Sequence, residues 1–222
     1  MNVLTNLEQI QSNIRQACEN SNRNPEEITI IAVTKYVTIE RTEETIEAGI
    51  ENLGENRLEG FVEKYNQIED KAKWHFIGTL QTRKVKEVIN KVTAIHSLDR
   101  LSLAKEINKR AEKTVDCFVQ VNVSGEETKH GLNPEAVMPF IKEIAAYENV
   151  RVVGLMTMAP HVEDKTVLKE NFKKLAQLRD TIKQKQFEHA PCEYLSMGMS
   201  NDYDIAIEAG ATHIRIGTKL VG

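Results

Sequence analysis

The sequence predicts an α/β chain built as a single (β/α)8 barrel domain over residues 1–222, with an extra helix ahead of the first strand. Three observations predict it. Short apolar runs of strand character alternate with amphipathic helical stretches along the whole chain, and such alternation implies parallel pairing, because a parallel neighbour must be reached by a crossover. The runs number eight, which closes this kind of barrel, and 222 residues are enough to build one. A helical pattern precedes the first run and almost nothing follows the last, so the amino-terminal helix takes the place of the missing final one. The rival architecture is an open doubly wound sheet. No Gly-rich turn of the dinucleotide-binding type follows the first strand, which removes the usual reason to prefer it. No long linker divides the chain.

The elements follow in order. Thr5 and Glu8 have capping-box spacing, so the first helix is placed from Thr5, with Leu7, Ile10, Ile14 and Ala17 recurring at helical spacing. Asn22 to Glu27, with Pro25, form a turn into the first strand, ITIIAVTKY (Ile28 to Tyr36). Seven more strands are predicted at Ile50 to Asn56, Trp74 to Gly78, Thr93 to Leu98, Val115 to Val123, Val150 to Met158, Glu193 to Met199 and Thr212 to Gly217. Among the helices between them, Val167 to Gln186 carries the clearest stripe, Leu168, Phe172, Leu175, Leu178 and Ile182, and its role is packing. EAGIENLG (47–54) and EAGATHIRIG (208–217) repeat one unit, in which a helix ends at Gly49 or Gly210 and a strand follows at once.

Bulk properties exclude several classes. A net charge of −4 gives no global basic field for nucleic acid or anionic lipid. Cys18, Cys117 and Cys192 are odd in number and widely spaced, so neither a disulfide framework nor a zinc site is expected. The six histidines have no metal-ligand spacing, and no metal is expected. The amino terminus lacks a basic segment followed by an apolar run, and no apolar run approaches a membrane span. A cytoplasmic protein is expected. A closed barrel leaves few unpaired edges, so a monomer is expected.

Functional groups in such barrels collect at the carboxyl ends of the strands. Strand one ends in Lys35, strand two in Glu55 and Asn56, strand three in Gly78 and Thr79, strand five in Asn122 and Ser124. Strand seven ends in MGMS (Met197, Gly198, Met199, Ser200), and strand eight carries Arg215, Gly217 and Thr218. Taken singly, each is ordinary strand-end polarity. Alternation sharpens the pattern. Ile31, Val33 and Lys35 share a face, whereas Ile214 and Ile216 share a face that Arg215 opposes. If those isoleucines pack on helices, Arg215 points into the barrel, where a charge needs a partner; a structural salt bridge and a ligand contact both meet that need. Barrels frequently bind phosphate with the loops after strands seven and eight. Gly198 and Gly217 let backbone N–H groups approach an anion, and Ser200 and Thr218 can add hydroxyl donors. A lysine amine condenses with carbonyl compounds. Pyridoxal 5′-phosphate (PLP), with its aldehyde, phosphate and ring nitrogen, would satisfy all three features.

The segments IAVTK (31–35), ENLGENR (51–57), WHFIG (74–78), LQ (80–81), VQVNVSGEETKHGL (119–132), GLMTMAP (154–160), LSMGMSND (195–202) and RIGT (215–218) together resemble the pyridoxal phosphate homeostasis protein family. Members of that family resemble the barrel domain of alanine racemase and bind PLP in a fold-type III barrel. The resemblance implies that Lys35 carries PLP as a Schiff base. It also implies that Arg215 faces the pyridine nitrogen, that Ser200, Gly217 and Thr218 hold the phosphate with the backbone around Met199, and that Asn56, Met197 and Gly198 line the cofactor. Arg83 before Lys84, where the family usually has Asn, and Thr79 after WHFIG, where it often has His, are departures confined to the strand-three rim.

The implied role is holding PLP and delivering or buffering it, with transient contact to PLP-dependent apoenzymes and without robust catalysis. A guanidinium beside the pyridine nitrogen disfavours protonating it, and the ring is then a poor electron sink. Alanine racemase tolerates this with a tyrosine base and a second, β-rich domain, for which this chain has no room after strand eight. Alternation turns Tyr36 away from the aldehyde, and Tyr203 reads as a helix-start residue. The alternatives are a PLP-dependent amino-acid racemase or decarboxylase, and a Schiff-base aldolase acting on phosphosugars. His75 reads as a hydrogen-bonded barrel histidine, and Lys129 and His130 as mobile groups of the rim.

Overall fold

A computed structural model gives the architecture and describes residues 2–160 and 162–222. His161 and Met1 lie outside the described residues. Eight parallel strands pair in sequence order and close into a barrel. They are β1 (Thr29–Val33), β2 (Asn52–Glu55), β3 (Lys73–Phe76), β4 (Ala94–Leu98), β5 (Val115–Gln120), β6 (Val150–Met156), β7 (Tyr194–Met199) and β8 (His213–Ile216). The α-helices are α1 (Val3–Asn20), α2 (Ile39–Glu47), α3 (Leu58–Ile68), α4 (Val85–Val88), α5 (Leu101–Arg110), α6 (Pro134–Glu143), α7 (Lys165–Lys183), α8 (Tyr203–Glu208) and α9 (Thr218–Val221).

The first helix begins before the expected Thr5. Asn2 caps it, its side chain accepting the Leu4 N–H at 2.9 Å, and Val3 is already fully buried. Asparagine is a strong N-cap, and burying Val3 adds to that advantage. The helix packs against α2, α8 and α9, which fills the position after β8 as expected. Asn13 Nδ2 donates to Tyr203 Oη at 2.8 Å and Asn6 Nδ2 to the Leu220 carbonyl at 3.0 Å, fixing α1 to both carboxyl-terminal helices. The long stripe lies on α7, which starts two residues early because Asp164 accepts the Thr166 and Val167 N–H groups. The repeated EAG units end α2 and α8 alike, with Gly49 at φ +98° and Gly210 at φ +108°, a region glycine enters without strain.

Most strands are shorter at their carboxyl ends than their apolar runs. The ladder stops where the chain peels away from the barrel axis, so Thr34, Lys35 and Tyr36 leave β1 for a turn, and Val121 to Val123 leave β5. Alternation sorts the side chains into two cores. Leu53, Ile95, Cys117, Leu195, Met197, Ile214 and Ile216 belong to the large core between barrel and helices. Ala94, Phe118, Val153 and Met156 pack separately inside the barrel. The three cysteines are buried and free. Among the described residues no helix is long and apolar enough to cross a membrane.

Candidate functional site

The carboxyl ends of β1, β2, β7 and β8 bring the expected residues to one end of the barrel. Strand register does this. Ile31 pairs with Asn52 on one side and Arg215 on the other, and Val33 pairs with Gly54, so these residues share the inner face. Lys35 lies two residues beyond Val33, and Asn56 two beyond Gly54. Lys35 is exposed, and its amine makes no hydrogen bond or ion pair among the described residues. It lies 4.9 Å from the centre of the Tyr36 ring. This corrects the expectation that alternation turns Tyr36 away. The strand ends at Val33, alternation ends with it, and the turn returns the ring to the amine. Tyr36 itself is 73% exposed.

Arg215 enters the barrel as expected, opposite Ile214 and Ile216, and is 5% exposed. It makes no salt bridge among the described residues. Its Nη1 donates to Ser196 Oγ at 2.6 Å and its Nη2 to the Thr157 carbonyl at 2.9 Å. Burial lowers its pKa to about 10, opposed by the nearby Asp202 carboxylate, so it remains a cation at neutral pH.

Below Arg215 the hydrogen bonds form a chain. Ser196 Oγ lies 2.8 Å from His96 Nδ1, His96 Nε2 lies 3.0 Å from His75 Nδ1, and His75 Nε2 lies 3.0 Å from Asn52 Oδ1. Arginine can only donate. Ser196 therefore accepts from Arg215, and because the Asn52 carbonyl oxygen can only accept, neutral rings require His75 Nε2–H to donate to it, His96 Nε2–H to donate to His75 Nδ1, and the Ser196 hydroxyl to donate to His96 Nδ1. The chain runs in one direction with both rings neutral. Burial lowers the His75 pKa to about 3 and holds that of His96 well below the usual range. His75 is thus the hydrogen-bonded barrel histidine expected. His96 and Ser196 escaped notice, although alternation on LSMGM sets Ser196 opposite Leu195 and Met197, and on AIHSL sets His96 opposite Ile95 and Ser97.

The loops after β7 and β8 meet. Ser200 Oγ accepts the Gly217 N–H at 3.3 Å, and Asp202 Oδ1 accepts the Met199 N–H at 2.6 Å. Burial raises the Asp202 pKa. Thr218 is exposed at the start of α9, and its N–H donates to nothing among the described residues. The two glycines differ. A Cβ at Gly217 would meet only Val33, at 3.7 Å, so the loop has an open side. A Cβ on Gly198 would stand 2.6 Å from Ala206 Cβ, so that glycine serves close packing of β7 on α8. Met197 is fully buried in the outer core, which corrects its expected place: only its backbone can line the inner face, because Ser196 takes the inward position.

Asn56 Oδ1 is buried with no hydrogen-bond partner among the described residues, as an acceptor awaiting a donor would be. Asn122, by contrast, is spent on its own loop. Its Nδ2 donates to the Glu126 carbonyl at 2.8 Å and its Oδ1 accepts the Gly125 N–H at 3.1 Å. Lys129 pairs with Glu126 at 3.0 Å, so that rim loop is cross-linked rather than loose. Tyr203 starts α8 as expected, and its hydroxyl is committed to Asn13. A cavity of about 430 Å³ at the amino-terminal end of the barrel, lined by Lys73, Lys113, Asp116 and Arg151 among others, is separate from this site.

The alanine racemase N-terminal domain family matches residues 5–222. The pyridoxal phosphate homeostasis protein of Aquifex aeolicus is 42% identical over 226 residues, spanning 100% of this chain and 98% of its own. That of Vibrio alginolyticus is 34% identical, spanning 98% and 95%. Among solved structures, PipY of Synechococcus elongatus with PLP bound matches with a TM-score of 0.86 at 25% identity, over 99% of this chain and 100% of its own. An alanine racemase from Clostridium difficile matches with a TM-score of 0.73 at 18% identity, over 100% of this chain and 56% of its own, a likeness of fold. The chain belongs to the alanine racemase N-terminal domain family and, within it, to the pyridoxal phosphate homeostasis proteins.

Proposed function

We propose that this protein binds PLP through Lys35 and acts in intracellular PLP homeostasis or delivery, without robust catalysis of its own. The observation that carries this reading is Arg215. Among the described residues this buried guanidinium donates only to neutral acceptors, with the Asp202 carboxylate near but not paired with it, and it retains further N–H donors. The unpaired Lys35 amine, the partnerless Asn56 Oδ1 and the open side of Gly217 stand at the same end of the barrel, and together they fit PLP. When bound, PLP supplies an aldehyde that condenses with a primary amine, releasing one water. In this reading Ser200, Gly217 and Thr218 hold the phosphate with the Met199 backbone. Gly198 and the Met197 backbone shape that loop, and Asn56 lies beside the ring. Arg215 meets the ring nitrogen and disfavours its protonation, which weakens the ring as an electron sink. Delivery would require only transient contact with PLP-dependent apoenzymes, and a cytoplasmic monomer suffices.

The test is an absorbance spectrum of the purified protein with added PLP, followed by borohydride reduction and peptide mapping. A visible band and a reduced adduct on Lys35 are expected. An adduct on another lysine, or no band, overturns the reading. One observation favours a second reading, that of an amino-acid racemase or decarboxylase: the Tyr36 ring centre lies 4.9 Å from the Lys35 amine. Fast, substrate-specific exchange of the α-hydrogen of an amino acid in heavy water, lost on Tyr36→Phe, would establish that reading instead.

A further inference from the structure

Lys35 is the second residue of a four-residue turn, Thr34 to Val37, closed by the Val37 N–H donating to the Thr34 carbonyl at 3.2 Å. The same carbonyl accepts a second hydrogen bond, from Lys64 Nζ at 2.6 Å. Lys64 lies on α3 and is 4% exposed, and its ammonium also contacts Glu55 Oε1 at 2.8 Å. Glu55 ends β2, is fully buried, and accepts a hydrogen bond from the Thr34 hydroxyl on that same oxygen at 2.7 Å. The Thr34 N–H donates to the Gly54 carbonyl at 3.2 Å. Every polar group of the residue before Lys35 is therefore fixed, and a buried ion pair fixes two of them.

Stability does not account for such a pair. Removing two charges from water costs several kcal/mol per ion, and apolar residues of similar volume often serve as well or better. Glu55 Oε2 has no hydrogen-bond partner among the described residues, and a Cβ at Gly60 would stand 3.3 Å from it. What an apolar pair cannot do is hold one carbonyl and one hydroxyl in place. We propose that Lys64, paired with Glu55, is a positioning residue for Lys35: it clamps the Thr34 carbonyl and so fixes the turn that presents the Lys35 amine to an aldehyde. The inference rests on the reading of Lys35 as the PLP-binding amine. Lys64 itself stays out of the reaction, because its ammonium is engaged by Thr34 and Glu55.

The test uses the full chain and three readouts. These are the rate of covalent adduct formation with PLP, the binding of pyridoxine 5′-phosphate (an alcohol in place of the aldehyde), and hydrogen exchange at the Val37 amide. Lys64→Met combined with Glu55→Gln removes both charges and strands neither. Misplacing a reacting group by about 1 Å can cost on the order of a hundredfold in rate, so adduct formation is expected to slow roughly ten- to hundredfold. Val37 exchange should accelerate, and pyridoxine 5′-phosphate binding should be unchanged. An unchanged rate of adduct formation overturns the proposal, and so does an equal loss of pyridoxine 5′-phosphate binding, which would mean general damage. If the double variant fails to fold, Lys64→Gln combined with Glu55→Gln keeps a neutral polar pair but removes the ammonium from the Thr34 carbonyl, and decides between the outcomes: slower adduct formation with intact pyridoxine 5′-phosphate binding supports the clamp, and an unchanged rate overturns it. Lys35→Ala separates the two claims, because an adduct that survives it refutes the reading of Lys35 rather than the clamp.

Discussion

The two halves of the barrel interior both carry polar groups, yet they treat them in opposite ways. In the lower half, Asn52, His75, His96 and Ser196 form a chain in which every ring nitrogen has a partner, and Phe118 stacks on His96 with ring centres 4.2 Å apart. At the upper end, the Lys35 amine, Asn56 Oδ1 and the Thr218 N–H have no hydrogen-bond partner among the described residues. Arg215 stands at the boundary, joined to the lower chain through Ser196 and retaining N–H donors. Buried polar groups are nearly always satisfied in a finished structure. Satisfaction below therefore marks a scaffold; at the upper end the buried Asn56 Oδ1 is the group that something else would complete, while Lys35 and Thr218 are exposed and open to solvent or ligand. Counting polar residues would not separate the halves; following each proton does.

The largest expected effect breaks the upper half alone. Lys35→Ala should abolish the visible band formed with PLP while leaving the thermal unfolding midpoint nearly unchanged, because the side chain is exposed. A retained band would mean that the amine lies elsewhere. The next effect belongs to the lower half. His75 is lowered to about 3 and His96 well below its usual range, both by burial, so the unfolded chain binds these protons first as pH falls. Their contribution is complete above the ordinary imidazole value of about 6.5 and is lost progressively below it, at about 2 kcal/mol per ring by pH 5. Urea unfolding at several pH values checks this. His96→Gln keeps one donor and one acceptor but cannot titrate, and should flatten the stability profile between pH 7 and pH 5. An unchanged profile would mean that the two rings are not held neutral.

What the sequence made legible follows the same division. The barrel was readable because eight apolar runs leave few other closed arrangements. The inward Arg215 was readable because Ile214 and Ile216 flank it. The gathering of Lys35, Ser200, Gly217 and Thr218 beyond strand ends at one end of the barrel was readable because a strand end is a short, local feature. The lower chain was not, because it joins residues from four strands, and only the register that pairs Ile31 with Arg215 and Asn52, and Gly54 with His75, reveals that they meet. The same reason hid the contact between Lys64 and Thr34, which lie 30 residues apart. Tyr36 was misplaced by a different error, that of extending alternation past the last ladder bond.

Ser196→Ala tests the boundary itself. It removes the acceptor of Arg215 Nη1 and the donor to His96 Nδ1 at once. Leaving buried groups unpaired should cost about 2 kcal/mol of stability. Adduct formation at Lys35 should survive, because that amine has no part in the chain. Loss of the adduct without loss of stability would mean that the halves are not separable.

The smallest expected effect lies on the upper rim. Ser200 and Thr218 can each direct a hydroxyl at a phosphate, and a hydrogen bond to a charged group is worth about 1.5 kcal/mol, or roughly tenfold in affinity. Ser200→Ala should therefore weaken retention of PLP by about that factor and leave retention of pyridoxal, which has no phosphate, unchanged. Thr218→Ala should do less, because Thr218 is exposed and water competes for its ligand. Equal losses for PLP and pyridoxal would place the phosphate elsewhere. The loops after β7 and β8 would then be no more than two turns joined by the hydrogen bond from Gly217 to Ser200.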